Sequence, residues 1–162
     1  MTVATIVLLV ATLAAAVTDI RSRRIPNALT AATAVLAVAV HLADGIGPEL
    51  AAIAAMIVAF VLGSLAYSAG WFGGGDVKLI AACCGLAGFP AAIPLVLDIL
   101  VAGGVLALMA AAANGRLVAL VRSTVSVTMH GAATEKTTLP YGVAIAAGSV
   151  VYAVSTLAPS LR

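Results

Sequence analysis

Asp19 ends an uncharged run that begins at Thr2, and Asp76 follows three consecutive glycines, Gly73, Gly74 and Gly75. Two carboxylates that share a water molecule can hydrolyse an amide. One must be ionised to take a proton from the water; the other must be protonated to give one to the carbonyl oxygen. Like charges held close together resist double ionisation, which enforces that split. The glycines leave the backbone beside Asp76 unobstructed, and Lys78 adds an ammonium group two residues on. Each aspartate alone has a plainer reading. Asp19 lies near Arg21, Arg23 and Arg24 and could form a surface ion pair; Asp76 could simply cap a helix. What sets the pair apart is where both stand relative to the apolar segments.

The chain has 162 residues, of which 64% are apolar, 9% charged and 4% aromatic. A water-soluble domain of that length carries about 25% charged residues, so too little polar surface is available to cover a globule in water. Composition therefore points to an all-α, polytopic membrane protein, with residues 1–162 forming a single membrane-embedded domain. A net charge of +2 is too small to argue for nucleic acid as a partner. Cys83 and Cys84 are adjacent, so their side chains diverge on a helix and cannot form a CxxC-type metal site; they read as small core residues.

About six helices are expected. The first covers Thr2 to Thr18 and is retained rather than cleaved, since no Lys or Arg precedes it and three Arg follow. Asp19 to Arg24 reads as a charged loop, with the second helix starting near Ile25-Pro26-Asn27 and running to about Leu42. Asp44 to Glu49 reads as a turn marked by Gly45, Gly47 and Pro48. The third helix then occupies Leu50 to about Ser68. A fourth starts near Asp76 and stops at Gly88-Phe89-Pro90. At ~1.5 Å per residue it is too short for a hydrocarbon core of ~30 Å. The glycine segment must therefore dip into the membrane or sit where the bilayer is thinned. A fifth helix runs from Ala91 to Ala113, the polar stretch Arg116 to Thr138 fits an interfacial helix or a short strand, and a sixth opens at Leu139-Pro140-Tyr141-Gly142 and ends near Leu157.

Six crossings place both chain termini on one side. Arg21, Arg23, Arg24, Lys78, Arg116, Arg122 and Lys136 then share the opposite side, which the positive-inside rule makes cytoplasmic. Asp19 and Asp76 both fall at that face. Helix dipoles would favour the anion on Asp76, at a helix N-terminus, over Asp19, at a helix C-terminus, making Asp76 the base and Asp19 the acid; the nearby arginines oppose this assignment.

Gly73-Gly74-Gly75-Asp76 resembles the G-x-G-D motif of membrane-embedded aspartic peptidases. Asp19 followed by Ile25-Pro26-Asn27 resembles the first catalytic aspartate and IPN motif of type IV prepilin peptidases, and Pro140-Tyr141-Gly142 resembles that family's late PYG segment. The small size is similar to the short peptidases of tight-adherence (Flp) pilus systems. The resemblance implies an aspartic endopeptidase of a prokaryotic plasma membrane. Such an enzyme removes the leader of prepilins or pilin-like proteins at the cytoplasmic face, with no metal or other cofactor. It makes Asp19 and Asp76 the catalytic pair. Gly73, Gly75, Pro26, Asn27, Pro140, Tyr141 and Gly142 would shape the site, and Lys78 would place substrate or tune Asp76. Larger members carry paired CxxC motifs and an N-methyltransferase activity; this chain has no such pair, so peptidase chemistry alone is expected. A second reading of the same acids, with Asp98 added, is a small proton- or cation-coupled transporter or an assembly subunit. Asp98 serves either a helix–helix hydrogen bond or that function.

Overall fold

The computed structural model describes residues 2–113 and 140–158. They form six α-helices and, among the described residues, no strand: α1 (Val3–Ser22), α2 (Asn27–Asp44), α3 (Ile46–Ser68), α4 (Gly74–Ala87), α5 (Ala92–Ala113) and α6 (Tyr141–Leu157). The expectations for the polar stretch from Arg116 and for Leu139 lie outside the described residues. Four helices, α1, α2, α3 and α5, are long and apolar enough to cross a membrane; α6 is apolar but shorter.

Three expected boundaries are corrected, each for a local reason. Helix α1 does not stop at Thr18. Ser22 Oγ donates to the Thr18 carbonyl, and Arg23, in the left-handed region at φ 52°, donates its N–H to the Asp19 carbonyl. Asp19 is therefore in the last helical turn rather than in a loop. The turn expected over Asp44 to Glu49 shrinks to Gly45, whose φ of 111° lets α2 end and α3 begin at once. Pro48 does not delay α3, because N–H groups in a first turn have no intrahelical partner to lose. Helix α4 begins at Gly74, so two of the three glycines are helical and Asp76 is the third residue of the helix.

The helices are arranged by burial. Helix α3 buries only Ala52 and Ala55 and turns Phe60, Leu62 and Leu65 outward. The 14-residue α4 is the opposite, with Val77, Leu79, Ala81, Ala82, Cys83, Cys84, Gly85 and Leu86 all buried. It packs against α2 and α3 most closely, and also touches α1, α5 and α6. A helix of about 21 Å is tolerated because its neighbours, rather than lipid, surround it. Its Leu79, Cys83 and Leu86 join Leu8 and Ala15 of α1, Ala37 of α2, Leu95 and Ile99 of α5, and Ile145 and Tyr152 of α6 in one cluster.

In a bilayer, lipid tails are as apolar as leucine, so cohesion comes from close packing rather than from transfer out of water. Small residues allow it. A Cβ on Gly85 would stand 3.2 Å from the Ala37 Cβ, so α4 and α2 nearly touch there. On Gly148 of α6 a Cβ would stand 2.5 Å from the Ile99 Cα and 2.6 Å from the Ile99 N of α5, both backbone atoms that cannot swing aside. A Cβ on Gly104 would have nothing within 4 Å. Gly148→Ala is therefore expected to destabilise the protein by about 1–3 kcal/mol, whereas Gly104→Ala should be neutral or slightly stabilising. Thermal unfolding in detergent of the two variants checks this; equal midpoints would contradict it.

Candidate active site

The loop between α1 and α2 and the N-termini of α4 and α6 meet at one end of the bundle. Asp19 reaches it from the last turn of α1 and is only 7% exposed. Its Oδ2 accepts a 2.8 Å hydrogen bond from the Gly142 N–H, 123 residues away. Gly142 is the second residue of α6, where backbone N–H groups lack intrahelical partners and the helix dipole favours an anion. Only glycine fits: a Cβ there would lie 2.9 Å from the Asp19 Cβ, 3.1 Å from its Oδ2 and 3.2 Å from the Ala15 carbonyl oxygen. A charge-assisted bond of this kind contributes about 1.5–3 kcal/mol.

Asp76 is placed by its own helix. Its Oδ2 accepts the Gly73 N–H at 3.1 Å, closing the first turn of α4. Gly75 faces the α1–α2 loop, with a Cβ position 3.2 Å from the Ile25 Cβ, and so lets Ile25 close over α4 beside Asp76. The two carboxylates are within electrostatic reach of each other. Among the described residues, each carboxylate has one oxygen tied to a backbone N–H and makes no other side-chain hydrogen bond.

Asp76 stands at the rim of α4, outside the four membrane-length helices. Burial pushes its carboxyl up to about 6; the Gly73 N–H opposes that shift and the charge of Asp19 adds to it. This direction runs against the role that helix ends alone give Asp76. The reason is that burial of the Asp76 carboxyl outweighs the Gly73 N–H that closes the first turn of α4.

Tyr141 packs edge-on against Phe72, with ring centroids 5.0 Å apart. Its ring fills the space beside Gly103 of α5, where a Cβ would fall 2.6 Å from the Tyr141 hydroxyl oxygen. Pro140 precedes α6, and Pro26 precedes α2. Asn27 and Lys78 join each other through a 3.0 Å bond from Lys78 Nζ to Asn27 Oδ1. Asp98 is not part of this group; its charge bears on Tyr152, further along α6. Among the described residues, no group of three His, Cys, Asp or Glu side chains could hold a metal.

Sequence reasoning missed three supports of the site. Phe72 packs on Tyr141, Gly103 makes room for the Tyr141 ring, and Ile25 closes over Gly75. Each acts through a partner distant in the chain, and spacing within one segment carries no trace of it.

With that geometry in view, the family comparison is informative. Residues 6–108 match the family model described as the type IV leader peptidase family. The matched span contains Asp19 and Asp76. No curated protein and no solved structure matches the chain.

The Asp76 environment can be titrated directly. The infrared band of a protonated carboxyl, assigned by its loss in Asp76→Asn, should disappear near pH 6. It should move toward the ordinary carboxylate range when Asp19→Asn removes the neighbouring charge. A band titrating near pH 4 in both proteins would contradict the placement of Asp76.

Proposed function

The chain belongs to the type IV leader peptidase family, and on that premise we propose that it is an aspartic endopeptidase. It removes the leader of prepilins or pilin-like proteins at the cytoplasmic face of a prokaryotic plasma membrane. Asp19 and Asp76 are its catalytic pair, and residues 1–162 act as a single peptidase domain without a methyltransferase activity. The observation that carries this reading is the convergence of two carboxylates, 57 positions apart in sequence, at one end of the bundle, each with one oxygen held by a backbone N–H.

The chemistry follows from unequal surroundings. Asp19, ionised, takes a proton from a water molecule held between the carboxylates. The resulting hydroxide attacks the scissile carbonyl carbon while Asp76 gives its proton to the carbonyl oxygen, forming a neutral gem-diol. In the second step Asp19 returns its proton to the leaving amine as the C–N bond breaks. Asp76 recovers a proton from one gem-diol hydroxyl, and the pair is ready again. Gly142 holds Asp19 in place; burial of Asp76 favours its acid form.

Lipid surrounds the bundle, and the arginines that follow Asp19 lie toward the cytoplasm with both termini on the other side. Gly73, Gly75, Pro26, Pro140 and Tyr141 shape the site rather than react. Asp98, turned toward Tyr152, is outside the chemistry.

The test is leader cleavage from a pilin-like precursor in membranes. Asp19→Asn and Asp76→Asn should each lower it by at least about 10²-fold while still inserting; Asp98→Asn should retain it. Because Asp76 acts as the acid, kcat/KM of the natural chain should fall as pH rises through about 6. Continued cleavage by either asparagine variant, or loss of cleavage in Asp98→Asn alone, would overturn the reading.

A further inference from the structure

Tyr141 and Phe72 each stand one residue before a backbone donor that holds a carboxylate. The N–H of Gly142, next after Tyr141, donates to Asp19 Oδ2 at 2.8 Å. The N–H of Gly73, next after Phe72, donates to Asp76 Oδ2 at 3.1 Å. The two rings meet edge-on at 76°, with centroids 5.0 Å apart. Near-perpendicular rings at this separation are a favoured aromatic geometry. The contact therefore joins, side chain to side chain, the two backbone segments from which the carboxylates are held.

The two rings differ in how firmly their own segments hold them. Tyr141 lies hard against α5: a Cβ on Gly103 would fall 2.6 Å from its hydroxyl oxygen, 2.8 Å from its Cε2 and 2.9 Å from its Cζ. That backing limits the freedom of the ring to turn. Phe72 falls between two hydrogen-bond ladders. The Trp71 N–H bonds back to the Ala66 carbonyl of α3 at 3.0 Å, and the α4 ladder opens with the Val77 N–H on the Gly73 carbonyl at 3.2 Å. Gly70, at φ 80°, starts this connection and Gly73 ends it. Backbone bounded by glycines shifts at little cost, and the Phe72 ring ties it to α6. Asp76 is within electrostatic reach of the Tyr141 hydroxyl, so the ring contact and the carboxylate pair belong to one neighbourhood.

We propose that Phe72 and Tyr141 form an aromatic clasp that sets the separation of the Asp19 and Asp76 carboxylates. Phe72 is thereby a positioning residue, acting through Gly73 and Tyr141 rather than on reacting atoms. A water molecule bridges two carboxylates only over the short range of hydrogen-bond distances, and charge coupling falls as separation grows. A shift of about 1 Å at either backbone donor therefore changes both the coupling and the geometry of attack. For its consequence in catalysis this assignment rests on the peptidase reading. It adds the side-chain contact that keeps the N-termini of α4 and α6 in register.

The clasp can be read without turnover. Asp19→Asn displaces the pH at which the Asp76 infrared band disappears, and the size of that displacement measures how closely the two carboxylates are coupled. Phe72→Leu keeps an apolar side chain and removes the ring; it should reduce the displacement by roughly half or more, and Phe72→Tyr should retain it. Gly103→Ala, which drives the Tyr141 ring from its place on α5, should reduce it likewise. Trp71→Ala, at a neighbouring side chain that is 69% exposed, should leave it as in the natural chain. In the active chain Phe72→Leu should lower kcat about tenfold or more with little change in KM, and Phe72→Tyr should keep kcat near the natural value. A displacement indifferent to Phe72→Leu and Gly103→Ala, an equal reduction by Trp71→Ala, or a loss in Phe72→Leu shared by Phe72→Tyr would each overturn the assignment. Uncoupling by Phe72→Leu when the natural chain cleaves no precursor would leave the clasp standing and remove the peptidase reading; cleavage by the natural chain with coupling indifferent to Phe72→Leu would do the reverse.

Discussion

The bond from the Gly142 N–H to Asp19 Oδ2 joins the last turn of α1 to the first turn of α6. It is short, buried and charge-assisted, and much of the site depends on it. It satisfies a helix N-terminus that otherwise has no partner, it fixes one oxygen of Asp19, and it brings Tyr141 beside Asp76. In an apolar surrounding neither partner can fall back on water, so breaking the bond leaves both a carboxylate and an N–H unpaired. The need for glycine at position 142 follows: the bond requires an approach that any Cβ would prevent.

The same economy of side chains governs the helices. Because lipid offers leucine as good an environment as protein does, the large residues of α3 face outward, while glycine, alanine and the buried cysteines of α4 let the helices close around a core of leucine and isoleucine. Enclosure by five neighbours is what permits α4 to be short, and its shortness is what brings its N-terminus, with Asp76, to the end where Asp19 and Gly142 meet. The packing of a buried helix and the position of the Asp76 carboxylate are thus one constraint. In the proposed mechanism this matters twice, since the enclosure that places Asp76 also disfavours its charge.

Much of this was legible in sequence. Composition and the apolar runs pointed to an all-helical chain with helices long and apolar enough to cross a membrane, and the paired motifs pointed to the family. The short fourth helix was expected from near Asp76 to Gly88, two residues later than it begins, and Cys83 and Cys84 read correctly as core. What was not legible depends on partners far away in the chain. The end of α1 is decided by Arg23 adopting a left-handed conformation, a choice that no propensity for arginine reveals. The turn before α3 collapses because Pro48 sits where its missing N–H costs nothing, so a breaker signal marked no break. The burial that raises the Asp76 carboxyl could not be judged from helix ends within each segment, since it comes from the neighbouring helices. Gly103, Gly104 and Gly148 look alike in sequence, and only the neighbouring helix distinguishes the packed ones from the free one.

The central claim is that Asp19 and Asp76 act as one acid–base pair on a water-derived tetrahedral species. Its most direct test is the affinity of a substrate-length peptide whose scissile amide is replaced by a tetrahedral carbon bearing a hydroxyl. An enzyme complementary to its transition state binds such an analogue more tightly than the peptide it resembles. Calorimetry should show tight binding to the natural chain and a large loss of affinity in both Asp19→Asn and Asp76→Asn. Equal affinity for the natural chain and either variant would contradict the account.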